Sequence, residues 1–241
     1  MSQLYDNAFY LNQNDRSYKS AMSILSKYLE LSSAKSLVDV GCGMGSWANA
    51  ALDLRIPEVL GIDGDFVDDN LLVIPVDKFH RQDLSKPFAL QNRFDLAVSM
   101  EVAEHIDESD SDVFVENLTN LSDVVLFSAA VPGQGGVHHV NEQPQSYWVK
   151  KFERQGYSCS VELRNRIWMD ESISNYYRQN VLLFVKVGAP QWSSLSSSLY
   201  DVIHPAVFEG ARIHHDHAAS SVKLSFIQLL RAVSGKISRQ K

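Results

Sequence analysis

The chain has 241 residues, of which 45% are hydrophobic and 21% charged, and a formal net charge of −7. That length and balance fit one soluble α/β domain, alone or with a small appendage. The acidic excess argues against broad attachment to nucleic-acid phosphates, so no nucleic-acid partner is expected.

In chain order, Met1 to Asn14 is a polar arm with scattered aromatics, a flap or an ordered extension. Asp15 to Leu31 reads as an amphipathic helix, with Tyr18, Met22, Leu25 and Leu29 recurring at helical spacing. Leu37 to Val40 is a short apolar run of buried-strand type. It breaks into Gly41-Cys42-Gly43-Met44-Gly45 and resumes as a small-residue helix, Ser46 to Leu52. A second strand, Val59 to Ile62, ends in Asp63, and an irregular stretch from Gly64 to Lys78 follows. Phe79 to Leu84 reads as a third strand carrying Asp83. Phe94 to Met100 is the fourth, and it runs straight into Glu101-Val102-Ala103-Glu104-His105. Asp107 to Leu121 is the next helix, and Asp123 to Ala130 the fifth strand.

Val131 to Glu142 then forms a long loop with Pro132-Gly133, Gly135-Gly136 and the adjacent His138 and His139. Its length and polarity exceed what a connection needs, which points to function. Pro144 opens a helix that Gly156 closes. Ser158 to Leu163 and Val181 to Val187 are the last strands. Arg164 to Asn180 separates them, and its aromatics and arginines either line a pocket or pack across the sheet edge. From Ala189 the composition shifts to a serine-rich link, Ser193 to Ser198, and to His204, His214, His215 and His217, which read better as a solvated loop than as a metal site. Ser220 to Lys241 is a basic amphipathic segment, able to lie on a membrane surface, dock on a partner or pack on its own domain.

The strand, glycine turn and helix start make a cradle for a ligand. Glycines let the backbone turn sharply and let the ligand approach it, and the helix N-terminus adds free N–H groups. Asp63, at the end of the next strand, can accept hydrogen bonds from both hydroxyls of a ribose. A dinucleotide site wants G-x-G-x-x-G/A; here Ser46 stands at the sixth position. Ligands of open parallel sheets lie beyond the carboxyl ends of the strands, so Glu101, Glu104 and His105 emerge on the functional side. Their spacing lets them share one face of a helical turn. Cys42 and Cys159 make no disulfide framework, which suggests a reducing, cytoplasmic compartment. No basic and apolar leader is expected, nor a bilayer-spanning run.

The string Asp39-Val40-Gly41-Cys42-Gly43-Met44-Gly45 resembles the first motif of class I S-adenosylmethionine-dependent methyltransferases, and the resemblance covers about Ser36 to Val187. It implies a Rossmann-like seven-stranded sheet, mostly parallel with an antiparallel last strand and helices on both faces. Residues 1–35 would be an arm and helix, 36–188 the cofactor-binding domain, and 189–241 a link and basic extension. The resemblance implies that S-adenosylmethionine is bound by Asp39, Gly41, Cys42, Gly43, Gly45, Asp63, Gly64, Asp83, Leu84, Met100 and Glu101. The string Glu101-x-x-Glu104-His105 is similar to one that helps hold a divalent metal in small-RNA 2′-O-methyltransferases and some ubiquinone-pathway O-methyltransferases, and that only shapes the pocket in most members. A cation held by Glu101, Glu104, His105 and either His138 or His139 is the corresponding expectation. The loop GQGGVHHVNEQPQSYW and the string YYRQN look like a bacterial subgroup found beside polysaccharide-biosynthesis enzymes.

The activity implied is methyl transfer to an acceptor, with oxygen favoured because histidines are at hand to take the proton. His139 or His138 is the expected base, with His105 next, and the expected acceptor is a small molecule or saccharide. The rival readings are a non-catalytic module that keeps the adenosylmethionine pocket and an NAD-dependent sugar-modifying enzyme.

Overall fold

The computed structural model describes residues 7–189 and 199–209, with side chains from residue 16 onward. The basic segment from Ser220, the serine-rich link and His214, His215 and His217 lie outside the described residues, as do the first six residues of the arm. The chain divides into two units, residues 1–202 and 203–241. In the second, residues 205–209 are helical. No described helix is long and apolar enough to cross a membrane.

The first unit is built on seven strands: β1 (Ser36–Val40), β2 (Glu58–Asp63), β3 (Phe79–Arg81), β4 (Leu96–Met100), β5 (Val124–Ser128), β6 (Tyr157–Ser160) and β7 (Leu182–Lys186). They lie in the order β3-β2-β1-β4-β5-β7-β6. The pairings β1–β2, β1–β4, β2–β3 and β4–β5 are parallel, and β7 runs antiparallel to both β5 and β6. This is the expected Rossmann-like sheet with its antiparallel closing strand. The strands read as nearly continuous apolar runs because helices cover both faces.

Alternate residues along each strand feed two cores. Leu37, Leu96, Val98, Leu126 and Leu183 face one way, toward α1 (Asn7–Leu31), α2 (Ser46–Asp53) and α5 (Glu162–Ile167). Val38, Val40, Ala97, Val125, Phe127 and Phe184 face α3 (Ser111–Leu121) and α4 (Gln145–Arg154). On that second face the Phe152 and Phe184 rings stack with centroids 3.7 Å apart.

Several boundaries differ from the sequence expectation. β3 stops at Arg81, because Asp83 turns the chain by accepting bonds from the Ser85 amide and hydroxyl. β6 stops at Ser160, whose hydroxyl accepts from the Glu162 amide and starts α5, so Glu162 and Leu163 are helical. The stretch Arg164 to Asn180 holds α5 and α6 (Asn175–Asn180). Its arginines divide between packing and surface. Arg164 is buried and donates to the Leu199 and Tyr200 carbonyls, Arg178 is buried beside Asn175 and Trp168, and Arg166 pairs with Glu162 at the surface. Tyr177 is buried edge-on to Trp47, while Tyr176 is exposed.

The start of α2 is capped from a distance. Gly45, its N-cap residue, has no side chain to offer, and the buried Asp39 of β1 accepts from the Ala48 amide at 3.1 Å instead. Burial pushes the Asp39 carboxyl up to about 8, although the Ala48 bond opposes the rise. Asp39→Ala should destabilise the fold by about 1–3 kcal/mol, the cost of an orphaned buried donor. A carboxyl whose folded pKa is raised contributes stability below its unfolded value, and that contribution is lost as pH rises through the folded value. Wild-type stability should therefore fall between pH 4 and about 8, and Asp39→Asn, uncharged throughout, should flatten that fall in denaturant titrations. An equal pH dependence in the Asn variant would contradict this assignment.

Candidate active site

β1 has β2 on one side and β4 on the other, so the chain leaves β1 at the topological switch point of the sheet, the place where open sheets of this kind bind ligands. The turns after β1 and β4 meet there. Gly41 has φ 80°, and a Cβ on it would lie 2.4 Å from Val102. Gly43 has φ 55°, yet a Cβ there would meet nothing within 4 Å. The two glycines thus differ in purpose. Gly41 lets two segments touch, while the absent side chain of Gly43 leaves open space beside the turn.

Asp63 closes this cradle. It is buried, and its two carboxylate oxygens accept from the Gly43 and Gly64 amides, each at 2.7 Å. Burial raises its pKa, and these two bonds oppose the rise. Each oxygen keeps a further lone pair, the capacity needed for ribose hydroxyls. Cys42 is buried with its thiol near the Gly43 carbonyl, and burial pushes that thiol up, so it stays protonated and unreactive. Leu84 and Met100 are also buried. Asp83 is exposed, and its turn with Ser85 engages one carboxylate oxygen, Oδ1.

Beyond β4 the expected helical turn is a 3₁₀ turn, Ala103–His105. Glu101 precedes it with φ 57°, a left-handed conformation unusual for this residue. Its carboxylate accepts from Gln134 Nε2 at 2.7 Å and Asn180 Nδ2 at 3.1 Å. Burial raises the Glu101 pKa against those bonds. Glu104 is fully buried, and neither carboxylate oxygen has a hydrogen-bond partner. Burial, reinforced by the Glu101 charge, pushes its carboxyl up to about 9, although the nearby Glu104 and Ala130 amides oppose the rise. A buried carboxyl with two orphan oxygens is costly unless something fills the space before it.

Two histidines share that space. One ligand atom from each of Glu104, His105 and His139 lies within 4.8 Å of the others, and the two rings meet edge to face at 4.9 Å. His105 Nδ1 lies 3.2 Å from the His138 carbonyl. A carbonyl only accepts, so Nδ1 carries the proton and Nε2 is left with its lone pair. Although His105 is exposed at its surface, desolvation of the ring lowers its pKa from the ordinary value, against the bond to the His138 carbonyl. His139 Nδ1 lies 2.8 Å from the Glu142 carboxylate.

Of the four expected metal ligands, Glu104 and His105 come together, and the histidine that joins them is His139. His138 contributes its backbone. Its φ of 61° brings the carbonyl to His105, and its side chain is exposed. Glu101 turns to Gln134 and Asn180 instead. The group fits a divalent cation in its chemistry: one carboxylate without partners, two imidazoles with second nitrogens already engaged, and a mixed oxygen and nitrogen donor set.

Three residues of the site carried no role in the sequence reading. Gln134, Asn180 and Glu142 act through partners 33, 79 and 3 residues away along the chain, respectively. Only the length of the loop and the YYRQN string marked their neighbourhoods. Burial would raise the Glu142 carboxyl, but the His139 bond and the Gly133 and Gly135 amides outweigh it and hold it below the usual range.

Comparison with known proteins agrees with this architecture. Residues 10–161 match the family described as a methyltransferase domain, and the chain belongs to that family. S-adenosylmethionine is its cofactor. No curated protein matches the sequence. Among solved structures, the methyltransferase domain of bacterial CtHen1-C is 20% identical with a TM-score of 0.50, covering 70% of this chain and 97% of that one. The sugar N-methyltransferase KedS8 from Streptoalloteichus is 14% identical with a TM-score of 0.57, over 77% of this chain and 97% of that one. A chain of the complex between the Haloferax volcanii Trm112 methyltransferase activator and the putative methyltransferase is 15% identical with a TM-score of 0.54, over 74% and 94%. At these identities the likeness is one of fold.

The two glycines give a test. Gly43→Ala should still fold, at a cost of about 1–2 kcal/mol for its left-handed φ, and weaken S-adenosylhomocysteine binding in calorimetric titration, since the new methyl enters open space. Gly41→Ala should lower stability by about 1–3 kcal/mol or more, because it overpacks against Val102. Unchanged affinity in a folded Gly43→Ala protein would remove Gly43 from the cofactor cradle.

Proposed function

We propose that this chain is an O-methyltransferase. It moves the methyl group of S-adenosylmethionine to a hydroxyl of a small-molecule or saccharide acceptor, beside a divalent cation held by Glu104, His105 and His139. The observation that carries this reading is the buried Glu104 carboxyl, its oxygens without a hydrogen bond, grouped with the His105 and His139 rings. Asp39, Gly41, Cys42, Gly43, Gly45, Asp63, Gly64, Leu84 and Met100 form or flank the cofactor cradle in this proposal. Asp83 serves through Oδ2, the oxygen its turn does not use.

The methyl donor is an activated sulfonium, so the work of the site is alignment. Holding two reactants in line can supply ~7–11 kcal/mol of the barrier. A bound divalent cation supplies Lewis acidity, lowering the pKa of a hydroxyl that reaches it. Glu101, Gln134 and Asn180 tie the end of β4, the loop and the end of α6 together, which fixes where an acceptor can sit. The saccharide class draws on the −7 charge, which disfavours polyanions, and on the fold shared with a sugar N-methyltransferase.

A second reading keeps the site without metal, with His139 Nε2 as general base. It rests on the same lone pair and would add roughly 10²–10⁴ in rate. Chelation separates the two. Turnover across a library of hydroxylated small molecules and saccharides, followed by mass spectrometry, should vanish after exhaustive chelation and return with Mn²⁺. Full turnover after chelation, with a sigmoid pH profile lost in His139→Ala, would leave only the base reading.

Position 138 provides an independent check. His138→Gly keeps the carbonyl and accommodates the positive φ, so turnover should stay within a few-fold of wild type, while His139→Ala should lower it about 10²-fold or more. Equal losses in the two variants would contradict the assignment of His139 over His138.

A further inference from the structure

A neutral imidazole has one proton and two nitrogens, and the bond made by one nitrogen decides what the other can do. At His105 the choice is made by backbone, the His138 carbonyl. At His139 it is made by a side chain. Glu142 Oε1 accepts from His139 Nδ1 at 2.8 Å, so in the neutral ring Nε2 holds the lone pair. The same oxygen accepts from the Gly135 amide at 2.9 Å, and Oε2 from the Gly133 amide at 2.8 Å. Two backbone donors therefore hold the carboxylate on the loop that carries His139. The pair is shielded, with side-chain exposures of 13% for His139 and 21% for Glu142. Gly136 flanks the ring, and a Cβ there would lie 2.2 Å from His139 Nε2, so the ring's place is set from a second side.

We propose that Glu142 is a positioning residue: it locks His139 in the tautomer whose Nε2 is free for the Glu104 and His105 group, and it ties residues 133–142 closed around that ring. The inference builds on the cation site proposed above. Outer partners of this kind matter to metal affinity because they fix ring orientation and raise ligand basicity.

The test uses the full chain without added metal, then titrated with Mn²⁺. Nitrogen-15 NMR of the histidine rings should show His139 protonated at Nδ1 and bare at Nε2. Glu142→Ala should release a mixture of tautomers and weaken Mn²⁺ binding by roughly 10–100-fold. Glu142→Gln keeps an acceptor for Nδ1–H and should restore both the tautomer and most of the affinity, with thermal unfolding reporting that each variant is folded. A wild-type ring protonated at Nε2 would overturn the inference. So would a Glu142→Ala protein that keeps both tautomer and affinity, or a folded Glu142→Gln protein indistinguishable from it. If wild type binds no Mn²⁺ while the Ala variant still loses the tautomer, the cation site falls and the positioning role of Glu142 stands.

Discussion

The site depends on one steric fact, the missing side chain at Gly41. With φ 80° and Val102 where a Cβ would be, that glycine lets the turn after β1 lie directly against the turn after β4. The cradle, Glu104 and His105 hang from these two turns, and His139 joins them from the loop after β5. The first presents Gly43 and the α2 N-terminus, with Asp63 bound across it. The second presents Glu101, Glu104 and His105. A side chain at position 41 would push the two apart and separate the cofactor cradle from the histidine and carboxylate group.

Each half is then fixed by buried carboxyls used in different ways. Asp39 caps α2 from inside the sheet, and Asp63 holds the glycine turn by both oxygens. Glu101 anchors the loop through Gln134, and Asn180 joins the same knot. Glu104 differs from all of them: it is fully buried, and neither oxygen makes a well-aligned hydrogen bond, although the Glu104 and Ala130 amides lie close enough to oppose the rise in its pKa. The fold thus gives the other three acidic groups hydrogen bonds and leaves both Glu104 oxygens without one, beside His105 and His139.

Much of this was legible in the sequence, because its signals are local. A buried-strand run, glycines at fixed offsets and an acidic residue after the next strand stand within Leu37 to Asp63, and the sheet around them has the expected topology. What could not be read was set by long-range partners or single dihedrals. The choice of His139 over His138 turns on a positive φ at His138 that places its carbonyl on His105. The role of Asn180 depends on Glu101, 79 residues earlier. Strands expected to reach Leu84 and Leu163 end sooner because Asp83 and Ser160 side chains capture nearby amides, the usual way short polar residues divert a backbone from a ladder.

The central claim is that the cofactor cradle and the cation group are one site at adjoining strand ends. It is tested most directly by paramagnetic relaxation of the cofactor's own methyl group. With S-adenosylmethionine carrying carbon-13 at the methyl, and Mn²⁺ bound to the full chain without acceptor, the methyl resonance should relax far faster than with Mg²⁺. Glu104→Gln should abolish the enhancement while cofactor binding persists. A methyl signal that Mn²⁺ leaves unchanged, with both species demonstrably bound, would place the cation away from the reacting carbon and contradict the account.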